Sequence, residues 1–160
     1  MNKSKVYIAI DAGATTGCAI YDGQLKLCSG SFWHIVYKME AYIYDDLKVN
    51  QIDFHIYIEN PNKNKITFRR NTHIQINDRK SQNVGMNKRD AQLWIEWCKF
   101  NNLPHTEIKP LRKKVNGLYI WKGIDGKITH DEFIKLTAYK GKTNQHERDA
   151  ALILLKYIKL

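Results

Sequence analysis

Cysteine is scarce. Cys18, Cys28 and Cys98 are the only three in 160 residues, and no two form a Cys-x-x-Cys pair. That excludes a disulfide-stapled scaffold and a zinc knot, and it points to a reducing compartment. Long apolar runs are missing as well. The first ends at Asp11 and the last is interrupted by Lys156, so no transmembrane helix or signal peptide is expected. Repeats, low-complexity tracts and Pro/Gly/Ser-rich linkers are absent, so one domain over residues 1–160 is expected. Acidic residues are few: 16 Asp and Glu stand against 26 Lys and Arg, a formal charge of +10. A polyanion, nucleic acid first, fits that excess, and simple solubility is the plainer reading. The rest is ordinary: 43% apolar and 26% charged residues, enough for a core in one domain.

The chain opens with Val6-Tyr7-Ile8-Ala9-Ile10, an apolar run that reads as a strand covered on both faces. Asp11 and the small-residue turn 12–17 follow. Cys18–Tyr21 reads as a second strand, Asp22-Gly23 as a tight turn, and Leu25–Phe32 as a third strand. Val36, Met39, Ile43 and Leu47 recur at helical spacing. Phe54–Ile58 is another buried strand, ending in Glu59 before Asn60-Pro61. The stretch from Asn62 to Val84 is polar and basic and reads as a long functional loop. A helix over Asn87–Phe100, a strand near Thr106–Lys109, a basic segment to Lys127 and a helix over His130–Ala138 complete the middle. Asn144 and Glu147 have capping-box spacing ahead of a buried helix.

The expected order is β-β-β-α-β-α-β-α with an extra helix before the last. A right-handed crossover places the fourth strand parallel to the first as its neighbour. Asp11 and Glu59 then end adjacent strands, and His146 and Asp149, three apart, share one face of the last helix. Crowded carboxylates repel and take up protons unless a cation neutralises them. Mg²⁺ suits such oxygen ligands, and two ions can serve an in-line displacement at phosphorus. Each residue also has a plainer role: Asp11 as a turn former, Glu59 as a solvated strand end, Asp149 as a dipole partner and His146 as a surface group. Glu147 reads as a cap partner only.

"IAIDAGATTGCAIYDG" around Asp11, "HIYIENP" around Glu59 and "HERDAALILL" from His146 resemble the RuvC family of Holliday junction resolvases, within the RNase H-like superfamily. The resemblance runs from Lys5 to Tyr157. It implies an RNase H-like α/β fold: a mixed five-stranded sheet, three antiparallel then parallel strands, flanked by helices. It implies a homodimer in a bacterial or phage-infected cytoplasm that resolves four-way and other branched DNA by phosphodiester hydrolysis. By position, Asp11, Glu59, His146 and Asp149 would hold two Mg²⁺ or Mn²⁺ ions per site. His146 stands where many members have Asp, and the long segment after Glu59 resembles viral and phage members. "DAGATTG" is also similar to the first phosphate loop of sugar kinases and actin-like ATPases, which need two such lobes. The same residues leave room for an RNase H-type nuclease on RNA–DNA hybrids and for a non-catalytic branched-DNA-binding module.

Two basic segments are the candidate DNA contacts. The first holds Lys63, Lys65, Arg69, Arg70, Arg79 and Lys80. The second holds Lys109, Arg112, Lys113, Lys114, Lys122 and Lys127, with Lys140 and Lys142 beyond. Phe68 is placed to stack on an unpaired base or to pin its loop to the domain. Trp121 is a weaker stacking candidate, with core packing the stronger reading. On the helix over Asn87–Phe100, Ala91, Trp94 and Cys98 mark one stripe, and Leu93, Trp97 and Phe100 a second. The second stripe serves either a dimer interface or deeper burial.

Overall fold

A computed structural model describes residues 5–48, 50–63 and 74–158, with side chains throughout except at 46 and 74–84. Strands β1 (Val6–Asp11), β2 (Thr16–Tyr21) and β3 (Leu25–Gly30) form an antiparallel meander. Helix α1 (Phe32–Glu40) continues as a π-helical stretch, Ala41–Lys48. Strand β4 (Phe54–Glu59) follows, then α2 (Ile74–Phe100) and β5 (His105–Ile108). A small hairpin, β6 (Lys114–Val115) and β7 (Leu118–Tyr119), precedes α3 (His130–Thr137) and α4 (Gln145–Tyr157). The main sheet is mixed and five-stranded, in the order β3-β2-β1-β4-β5, with β4 parallel to both β1 and β5.

Strand alternation sorts the apolar side chains into two cores. Val6, Ile8 and Ile10 of β1 join Phe54, Ile56 and Ile58 of β4 against α1 and α2. On the opposite face Ala9 and Ala19 meet Ala150, Ala151, Ile153 and Leu154 of α4. Small residues on both sides let the helix lie close to the sheet, and each fully buried Ile or Leu contributes about 1.5–3 kcal/mol. Asn144 and Glu147 form the expected capping box, which fixes where α4 begins.

Several expectations need correction. Much of the long loop read over 62–84 is helix, because α2 begins at Ile74 and runs 27 residues. Its first half lacks an apolar stripe, so periodicity gave no helical signal there. The third strand stops at Gly30, and Ser31 caps α1 by accepting from the His34 N–H, so Phe32 is helical. The basic segment after β5 contains the β6–β7 hairpin. The second stripe of α2 is largely used within the chain: Trp97 packs on the first core and its indole donates to Glu40 Oε1 at 3.2 Å. Only Phe100 of that stripe is fully exposed. Among the described residues, no helix is long and apolar enough to cross a membrane.

Candidate active site

Asp11 and Glu59 are the last residues of β1 and β4, whose parallel register pairs Ile10 with Ile58. Their side chains fall on the same face as Ala9, the face that α4 covers. Beyond Asp11, Thr16 ties the turn down: its hydroxyl donates to the Gly13 carbonyl and accepts from the buried indole of Trp94 at 3.2 Å. Beyond Glu59, the buried Asn60 ends the strand. Its amide donates to Glu107 Oε2 at 3.0 Å, and its carbonyl oxygen accepts from the Asn62 N–H at 2.9 Å. The Leu111 N–H donates to Glu59 Oε2 at 3.4 Å.

The first turn of α4 is seated on Gly17, the antiparallel partner of Asp11. A β-carbon at Gly17 would overlap the His146 carbonyl, so only glycine admits the helix here. That seating puts His146 Nδ1 3.6 Å from Asp11 Oδ2. Three residues on, Asp149 shares the face. Gln145 donates its amide to Asp149 Oδ1 at 2.7 Å, while its own oxygen accepts from Arg148 at 3.0 Å. Arg148 is anchored in turn on the carbonyls of Ile128 and Thr143.

The electrostatics identify a crowded anionic site. Burial, then the charges of Asp11 and Asp149, push the Glu59 carboxyl up to about 7. Burial, then Asp11, raises Asp149. The Asp11 carboxylate holds His146 protonated to higher pH than an ordinary imidazole. Three elements therefore bring Asp11, Glu59, His146 and Asp149 to the wall of one open cleft of about 1580 Å³. That volume exceeds the ~300–1,000 Å³ usual for small-molecule sites.

As they stand, no three His, Cys, Asp or Glu side chains among the described residues are grouped closely enough to hold one metal ion. The donor chemistry nevertheless fits a hard divalent cation: three carboxylates and an imidazole share a wall where burial and neighbouring negative charge disfavour ionisation of Glu59 and Asp149. A cation there would offset the burial and repulsion that raise Glu59 and Asp149.

Of the basic candidates, Lys63, Lys109, Arg112, Lys113 and Lys127 line the cleft. Lys113 and Lys127 act on the site through charge, Lys113 lowering Glu59 and Asp149, and Lys127 lowering Asp149. Lys63 is partly engaged, donating to the Glu107 carbonyl at 2.9 Å. Lys114, Lys122, Lys140 and Lys142 are exposed and do not line the cleft. Arg79 and Lys80 lie on α2 rather than in a loop, and their side chains are outside those described. Lys65, Phe68, Arg69 and Arg70 lie outside the described residues. Trp121 packs against the second core, as expected, while also lining the cleft. Sequence reasoning missed Lys156 and Gln145. Both were legible as helical neighbours of Asp149, at i+7 and i−4. Compared with protein-family models and with curated proteins, the chain matches none.

Proposed function

We propose that this chain is a metal-dependent endonuclease of the RNase H-like superfamily, a RuvC-like resolvase that cleaves Holliday junctions and other branched DNA. One observation carries the reading. Asp11 and Glu59 end neighbouring parallel strands on the face where α4 brings His146 and Asp149 to the same cleft. The cleft is rimmed by lysines and an arginine, and the chain carries a formal charge of +10.

Mg²⁺ or Mn²⁺, when bound, supplies charge neutralisation and activation of water at the scissile phosphate. Asp11 is central, beside both Glu59 and His146, and would share two ions. Glu59 would hold one of them, and His146 with Asp149 the other. Lys63, Lys109, Arg112, Lys113, Lys127 and Lys156 bind the phosphate backbone across the cleft. Hydrolysis breaks the bond from phosphorus to the 3′ oxygen and leaves a 5′-phosphate and a 3′-hydroxyl. A homodimer accounts for paired cuts, since two equivalent sites meet two strands of a nearly two-fold junction.

Labelled four-way junction, flap, linear duplex and RNA–DNA hybrid, each incubated with Mg²⁺, Mn²⁺ or EDTA, test the reading. The junction should be cut fastest, and only with a divalent ion. Preferential cutting of the hybrid would assign an RNase H activity instead. Binding without any cutting would leave a DNA-binding module.

A further inference from the structure

Beside the cleft stands a hairpin whose apolar face has no part in the hydrolytic site as described above. Residues 113–120 form a tight hairpin outside the main sheet, with Lys114 opposite Tyr119 and Val115 opposite Leu118. Asn116 and Gly117 turn it with φ of 51° and 81°, the left-handed geometry of a two-residue turn that matches strand twist. One face is partly covered, Tyr119 remaining 51% exposed. The Tyr119 ring rests on Gly126, where a β-carbon would collide with it, and Trp121 packs into the second core. Period-two alternation turns Val115, Leu118 and Ile120 to the other face. All three are exposed, Leu118 at 75%. A short two-strand hairpin gains little stability from its own contacts, so an apolar face left in water calls for an occupant.

The surroundings name that occupant. From Lys109 to Ile124 the chain has five basic residues and no acidic one. Lys113 and Ile120 both line the cleft, so the apolar face continues into it. A surface of leucine, valine and isoleucine edged by cations matches a polymer with an anionic backbone and flat apolar faces. In intact duplex those faces are stacked away; they become accessible where strands part. We infer that the hairpin is a wedge that packs on unstacked bases at a DNA branch point, with Val115 and Leu118 beside its turn making the contact, and holds the branch over the cleft. The inference rests on the nuclease reading and specifies how the branch is recognised.

Leu118→Ser and Val115→Ser, alone and combined, test it, because both side chains are exposed and the fold does not depend on them. The readouts are fluorescence of 2-aminopurine placed at the branch of a four-way junction, and affinity for junction and linear duplex, all in EDTA. Wild-type protein should raise the fluorescence. The double variant should lose most of that rise and bind junction about tenfold more weakly, within the range for apolar side chains no longer buried, with duplex affinity unchanged. Equal fluorescence and equal junction preference in the variant overturn the wedge while leaving the nuclease reading intact. A variant that keeps the fluorescence rise but sediments as a smaller species assigns the face to contact between copies, and also overturns it. Wild-type protein that binds no DNA removes the nuclease reading and the wedge with it.

Discussion

The His146 carbonyl of α4 rests on Gly17 of β2, at the spot a β-carbon would fill. Because Gly17 is also the ladder partner of Asp11, this one contact sets the distance between the helix and strand halves of the site. Gly17→Ala must push the helix off the sheet. Overpacking of this kind costs about 1–3 kcal/mol. The variant should melt several degrees lower and lose most of its cleavage even where it remains folded. Gly85 in α2 is the contrast: nothing lies near its absent β-carbon, so Gly85→Ala should raise the melting temperature slightly. An unchanged melting temperature and rate in Gly17→Ala would show that the helix is not seated as described.

The contribution of the site to stability without metal should fall as pH rises. Glu59 and Asp149 have folded pKa values above their ordinary ones, so the native state holds protons that the unfolded chain has released. Stability from such groups is complete below the unfolded pKa and is lost as pH climbs through the folded one. His146, raised by Asp11, acts in the same direction at higher pH. For Glu59, moving from 4.5 to about 7, the loss over that window is roughly 3 kcal/mol. Glu59→Gln should flatten the slope and melt higher than wild type at pH 7.5 in EDTA, while abolishing cleavage. Thermal melts from pH 5 to 8 check this. Saturating Mn²⁺ should also flatten the wild-type curve.

Metal binding should release protons. The same three groups must lose protons to act as ligands, so divalent affinity should weaken progressively below pH 7. Titration calorimetry in buffers of different ionisation enthalpy counts the protons. An affinity independent of pH between 6 and 8 would place the ion elsewhere.

Gln145 positions Asp149 rather than touching a reacting atom. Its amide is oriented by Arg148, so one face donates to the carboxylate while the other accepts from the guanidinium. Gln145→Ala should weaken Mn²⁺ binding about tenfold, within the range for loss of a ligand's supporting hydrogen bond. Gln145→Glu should recover the contact to Arg148 but not the donor to Asp149, so it should not restore binding. Equal Mn²⁺ affinity in all three proteins would rule this role out.

The proposed binding of phosphates by the basic rim predicts a steep salt dependence. Lys127→Ala and Arg112→Ala should each lower the slope of log affinity against log salt by about one, with little change in branch preference. Lys140→Ala, away from the cleft, should not change it. Fluorescence anisotropy over a salt series separates the two groups.

The parts of the site that were legible in advance are those where burial forces a pattern. Val6–Ile10 and Phe54–Ile58 had to be covered strands, so Asp11 and Glu59 had to sit at their ends. Asn144 and Glu147 located the start of α4 to the residue. The first half of α2 was not legible, because a helix without an apolar stripe looks like a loop. The π-helical stretch after Glu40 leaves the same apolar spacing as an ordinary helix, so its geometry was hidden too. The hairpin is different: Asn116-Gly117 between apolar residues is a standard turn signal, masked by the lysines around it. Gly17 was visible as a residue, but that a helix backbone rests on it is a fact of tertiary contact alone.

The most direct test is anomalous diffraction from crystals of the protein soaked in Mn²⁺. Manganese peaks are expected in the cleft with oxygen atoms of Asp11, Glu59 and Asp149 as ligands, and they should vanish in Asp11→Asn. Manganese bound only away from these side chains, in a protein that still cuts branched DNA, would contradict the proposed site.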